Sequence, residues 1–94
     1  MWRNKELDLK ECFGILFQYP DTFGHLSDLE NIIKICHNNK ALVCVATDLL
    51  SLALLKPPGE MDADVVLGNS QRFGTPLGFG GPHAAFFAAK NKFI

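Results

Sequence analysis

The stretch Gly68–Ala89, GNSQRFGTPLGFGGPHAAFFAA, constrains this chain more than any other. Gly68, Gly74, Gly78, Gly80 and Gly81 crowd around Pro76 and Pro82. No regular helix or strand tolerates so many residues that either lose excess backbone freedom on ordering or lack an N–H donor. The stretch therefore has to be a loop that turns sharply or lets something approach its backbone. It is entered through the polar group Asn69-Ser70-Gln71-Arg72 and left through the apolar run Ala84–Ala89. The chain before it has to be the scaffold that delivers this loop.

Short apolar runs bounded by turn residues supply that scaffold. Cys12–Tyr19 (CFGILFQY), stopped by Pro20-Asp21, reads as a buried strand, and so does Ala41–Ala46 (ALVCVA). Between them Leu29, Ile32, Ile33 and Cys36 recur at helical spacing, so a helix turns that face to a sheet. Ser27, with Glu30 three residues on, makes a capping-box start, and Asn38-Asn39 ends the helix. Strand, helix, strand is the βαβ unit of a parallel sheet. Leu49–Leu55 is expected to be a short buried helix, or a loop anchored by its leucines, stopped by Pro57-Pro58. Asp64–Leu67 and Ala84–Ala89 are the third and fourth strands. The expected class is α/β. Residues 1–11 read as a weakly patterned leader and 12–94 as part of a larger domain, because so few strands with one helix leave a sheet face or edge uncovered.

Composition narrows the partners. A formal charge of −1 leaves no electrostatic footprint for nucleic acid or an anionic membrane. No apolar run approaches the ~18 residues of a membrane helix. Eight Phe in 94 residues exceed what a small monomer buries, so part of that load is expected to meet a partner or more of the chain. Cys12, Cys36 and Cys44 are odd in number and lack C-x-x-C spacing. They read as small buried hydrophobes of a reducing compartment, and a zinc site with His25, His37 or His83 has no spacing behind it. Met1–Glu11 mixes acids and bases, unlike a transit peptide or signal core, so targeting is either absent or encoded upstream.

Four features carry candidate chemistry, each with a plainer alternative. The glycine-rich loop could gather backbone N–H groups on a phosphate, yet G-K-[ST] and G-x-G-x-x-G are both absent; a structural turn against a neighbouring subunit is the other reading. Asp48, at the carboxyl end of the second strand, could face a cationic nitrogen or cap the next helix. His83 could exchange protons or sit half-buried and satisfied. Arg72 could clamp a carboxylate or phosphate, or form a salt bridge. No nucleophile–base–orienter triad is present.

Four segments resemble, in the right order, one family. They are GILFQYPDT at Gly14–Thr22, ATDLLSL at Ala46–Leu52, KPPGE at Lys56–Glu60 and GNSQRFGTPLGFGGPHAAFFA at Gly68–Ala88. The family is glycine dehydrogenase (decarboxylating), the P-protein of the glycine cleavage system. The resemblance implies a pyridoxal-phosphate enzyme of fold type I, built of two related halves. Such an enzyme decarboxylates glycine on the cofactor and passes the aminomethyl group to the lipoyl arm of the H-protein. This chain is similar to a segment of the first half, a partial large domain of that transferase fold with a mainly parallel sheet.

The cofactor lysine belongs to the family's second half. By the analogous distance from Pro58-Gly59 its place falls on Arg72, whose guanidinium cannot make the lysine's covalent link. No catalytic residue and no covalently held pyridoxal phosphate are therefore expected here, and no metal is implied. Asp48 lies loosely where the fold keeps the carboxylate that pairs with the pyridine nitrogen; with His83 it is a cofactor-binding candidate. Ser70, Gln71, Arg72, Gly80 and Gly81 are expected at the interface between halves or at the active-site entrance. Asn69, Thr75 and Phe79 depart from the family, which usually has a small residue or serine, a valine and a tyrosine there. The implied partners are the remainder of the P-protein, as second half or second subunit, and lipoylated H-protein. The implied location is the mitochondrial matrix in a eukaryote and the cytoplasm otherwise. The chain alone is expected to be inactive. The alternatives are a short interaction module that binds full-length P-protein, or a non-functional truncated product.

Overall fold

Side-chain alternation decides the layering of this chain. The computed structural model describes residues 11–76, 78 and 83–94. Its strands are β1 (Gly14–Tyr19), β2 (Leu42–Asp48), β3 (Val65–Asn69) and β4 (Ala85–Ala89), with one α-helix, α1 (Leu29–Asn38), between β1 and β2. They form one sheet in the order β1-β2-β3-β4, the first three parallel and β4 antiparallel. The expected α/β class with a mainly parallel sheet is what the chain adopts.

Successive strand residues point to opposite faces, so every second residue meets the helix. Phe17, Tyr19, Val43 and Val45 do so, and pack with Leu29, Ile32, Ile33 and Cys36 of α1 into one buried cluster. Ile33, Cys36, Val43 and Val45 lose all contact with water. Burial pushes the Cys36 thiol above its ordinary range, which keeps it a packing group rather than a nucleophile. The opposite face has no such cover among the described residues. Leu16, Leu42 and Phe87 are 64%, 41% and 72% exposed there.

Several local expectations are corrected. Ser27 does not cap α1; Asp28 does, its carboxylate accepting the Asn31 N–H at 3.2 Å. Both residues are good caps, but the chain enters the helix one residue later, where a carboxylate also meets the positive end of the helix dipole. Asp28→Ala is accordingly expected to lower stability by about 1 kcal/mol and Ser27→Ala by much less, read from urea unfolding midpoints. Equal losses would sink the assignment. Leu49–Leu55 is not a buried helix: Leu49–Ala53 is a 3-10 turn with no buried residue, and Leu54 is 94% exposed. It lies past the sheet's end, beyond reach of the helix layer, and only Leu55 packs partly against the core. Of the cysteines only Cys36 is buried, whereas Cys44 is half-buried on the uncovered face and Cys12 is exposed. The strands begin later than the apolar runs do, at Gly14, Leu42, Val65 and Ala85. Residues 1–10 of the expected leader lie outside the described residues.

Candidate functional site

The carboxyl ends of β2 and β3 bring together most of the singled-out residues that can be described. Asp48 ends β2 in extended backbone, and its side chain accepts the Leu50 N–H at 3.1 Å, so it caps the 3-10 turn that follows. The Ser51 hydroxyl donates back to the Asp48 carbonyl at 2.7 Å. The second carboxylate oxygen of Asp48 lies 2.9 Å from Nε of Arg72. Asp48 is thus a cap, and Asp48 and Arg72 form an ion pair with each other. Arg72 is 73% exposed, which limits what the pair adds to stability to about 0–1 kcal/mol.

Arg72 reaches Asp48 because the segment after β3 folds back at once. Asn69 Oδ1 accepts the Gln71 N–H at 3.2 Å, and Gln71–Phe73 makes one 3-10 turn. That turn closes on Gly74 at φ 115°, a left-handed conformation for which a side chain would be strained. Ser70 ties the neck of the loop, its N–H and hydroxyl both donating to the Ala84 carbonyl at 2.8 and 3.2 Å. His83 is exposed rather than half-buried, because it precedes β4 on the solvent side of this neck. Gly80 and Gly81, like Phe79, lie outside the described residues.

An open cleft of about 640 Å³ adjoins the ion pair, with Asp21, Thr22, Asp48, Ser51 and Arg72 among its lining. Asp48, Arg72, Ser51 and Asp21 there are already engaged. Asp21 accepts the N–H groups of Phe23 and His25 at 2.9 and 2.8 Å. Burial pushes the Asp21 carboxyl up, but these bonds and the nearby His25 outweigh it and leave the group below its usual range. A smaller hollow of about 230 Å³ between β1 and the start of α1 is walled mostly by β1 and core residues, and none of Asp48, Ser70, Gln71, Arg72 and His83 lines it.

Pyridoxal phosphate fits these residues poorly. A covalent link needs a lysine, and none is among the described residues lining the cleft, while the Asp48 carboxylate is already engaged by Arg72 and the Leu50 N–H. Among the described residues no group of three or more His, Cys, Asp or Glu is arranged to hold a metal ion. No helix among them is long and apolar enough to cross a membrane.

Sequence reading missed the most buried charge. Asp64, taken as the first residue of a strand, is 1% exposed just before β3. Its Oδ2 accepts the Val43 N–H at 2.7 Å and lies 2.8 Å from Nε2 of His37, the nitrogen that must donate, since a carboxylate only accepts. Lys90 stands 3.2 Å from Oδ1, as a neighbouring charge rather than an aligned donor. Burial pushes the Asp64 carboxyl up, but the Val43 N–H, His37 and Lys90 together outweigh it and hold it below the usual range. The available signal was Asp64 opening an otherwise apolar strand, a position where a charge needs a partner.

Known proteins resemble the chain along its length. A family model described as "Glycine cleavage system P-protein" matches residues 1–94. "Glycine dehydrogenase (decarboxylating) 2" of Pseudomonas fluorescens is 60% identical over 88 residues, 94% of this chain and 9% of that protein. The mitochondrial glycine dehydrogenase (decarboxylating) of Gallus gallus is 59% identical over 85 residues, 90% of this chain and 8% of that protein. The chain thus spans under a tenth of these relatives. A crystal structure of glycine decarboxylase (P-protein) of the glycine cleavage system, in inhibitor-bound form, superposes with a TM-score of 0.82 at 42% identity, covering 89% of this chain and 19% of that one. Four quoted motifs in order, a matching sheet and a family model that runs from the first residue to the last have one common source: this chain belongs to the glycine cleavage system P-protein family.

Proposed function

We propose that this chain is a supporting segment of a P-protein's first half, and that it takes no covalent part in the chemistry. The whole protein would decarboxylate glycine on pyridoxal phosphate and hand the aminomethyl group to the lipoyl arm of H-protein. This segment would contribute the wall from Ser70 to His83 beside the entrance or the junction between halves. The observation that carries the reading is the 2.9 Å ion pair between Arg72 and Asp48. The pair engages the Asp48 carboxylate with a permanently protonated guanidinium, which supports a structural rather than a covalent role for this edge.

The uncovered sheet face bearing Leu16, Leu42 and Phe87 suits docking of the remainder of the P-protein, whether as second half or second subunit. Mitochondrial forms occur among the relatives, which supports a mitochondrial location in a eukaryotic source.

Incubation with pyridoxal phosphate, borohydride reduction and peptide mapping test the reading. The expected result is no lysine labelled to near one equivalent, only scattered partial labelling of exposed lysines such as Lys56. One lysine labelled stoichiometrically and protected by glycine would overturn it.

A further inference from the structure

At the amino-terminal edge of the parallel strands, opposite the candidate site, the geometry points to a latch: Lys90, gripped by Asp62 and Asp64, fastens β4 to the sheet. β4 is the edge strand of the described sheet and packs little of itself. Ala85, Phe87 and Ala88 are exposed, and only Phe86 and Ala89 are half-buried. Among the described residues β4 is held mainly by its backbone ladder to β3. Contacts beyond the ladder therefore carry unusual weight in deciding how often it opens.

Those contacts lie at its two ends. The Ser70–Ala84 neck holds the near end. At the far end the Lys90 N–H donates to the Asp64 carbonyl at 3.0 Å, and its ammonium lies 2.7 Å from Asp62 Oδ1 and 3.2 Å from Asp64 Oδ1. Both carboxylates are firmly mounted. Asp62 closes the 3-10 turn Pro58–Met61, whose Pro58 and Met61 are buried, and Asp64 is fixed by the Val43 N–H and by His37 at the end of α1. His37 also turns Nδ1 toward Asp62 Oδ2 at 3.5 Å, while Lys40 and Lys92 line the same hollow at its rim. Lys90 is the member of the cluster that belongs to the β4 side and touches both acids. The grip is mutual: the hydrogen bond to Asp62 holds the Lys90 ammonium above its ordinary range, and Lys90 holds the Asp62 carboxyl below its own. The hairpin that carries the glycine-rich loop is thus closed at the neck by neutral hydrogen bonds and at its base by charge.

Hydrogen exchange tests the latch, on the 94-residue chain and in parallel on a full-length P-protein carrying the same segment, with Lys90→Met and Lys90→Arg. The Met variant keeps the aliphatic stem and loses the charge; the Arg variant keeps the charge. In Lys90→Met the amides of Ala85–Ala89 are expected to exchange about tenfold or more faster, with those of β1, β2 and α1 unchanged and Lys90→Arg close to the parent. Unchanged exchange in β4 would show that the backbone ladder suffices and overturn the proposal. So would a fall shared equally by all elements, which would mark Lys90 as a general stability residue. If the short chain does not fold, the full-length protein gives the same two outcomes.

Discussion

Asp64→Ala is expected to remove about 3–5 kcal/mol of folding stability, a large part of what a domain of this size possesses. The carboxylate is 1% exposed and serves three elements at once: the Val43 N–H of β2, His37 of α1 and Lys90 beyond β4. Its loss leaves a buried backbone donor without a partner, and His37 and Lys90 facing a small void. Asp64→Asn, which retains the shape and one acceptor, is expected to lose less. Urea unfolding followed by circular dichroism reads both. A loss below about 1 kcal/mol for the alanine variant would mean that its partners find water readily, and that the site is not a keystone.

The same carboxylate sets an acid limit. Its pKa is depressed in the folded chain, so its contribution is complete above the ordinary carboxylate value of about 4 and disappears as pH falls through the lower folded value. Asp62 is shifted in the same direction, chiefly by its hydrogen bond to Lys90, but is largely exposed. The part of the acid limb that vanishes in Asp64→Asn belongs to Asp64. An identical limb in parent and variant would remove Asp64 from that role.

Gly68→Ala is expected to cost about 3 kcal/mol by overpacking. Gly68 pairs with Thr47 on one side and Phe86 on the other, in the middle of the β2-β3-β4 ladder. A Cβ built there would overlap the Thr47 carbonyl oxygen and sit 3.0 Å from the Phe86 ring. The ring can swing away, but the carbonyl belongs to the backbone of a neighbouring strand and cannot move without shifting the ladder. Thr47 is further pinned by its hydroxyl, which donates to the Tyr19 carbonyl at 2.7 Å. The unfolding midpoint should fall accordingly. Gly59→Ala, at a glycine with open space around it, should change far less. Similar behaviour of the two variants would sink the packing account.

These residues also show which features can be read locally. The helix face Leu29, Ile32, Ile33 and Cys36 was legible because the buried stripe and the helical repeat are the same fact. The four strands were legible because short apolar runs end at turn residues. The cap was misplaced by one residue, because Ser27 and Asp28 offer similar acceptors and only the chain's path into the helix distinguishes them. Of the two readings of Leu49–Leu55 the buried helix fails and only Leu55 anchors the turn, because hydrophobicity states a preference for burial and not whether a covering layer exists at that point.

The candidate site divides along the same line. The motif from Gly68 to Ala88 was sufficient to place the chain in its family. That Arg72 turns back onto Asp48 depends on the fold of a loop and on the adjacency of β2 and β3, neither of which the motif shows. Asp64 was opaque for the same reason, since Val43 and His37 lie 21 and 27 positions away. The sequence by itself determined the elements, the helical face and the family, because those follow from short-range periodicity and contiguous words. Only the tertiary structure decided which charges meet, which face of the sheet the described residues leave uncovered and which glycine has no room for a methyl group, because each depends on distances between segments that the chain order leaves open.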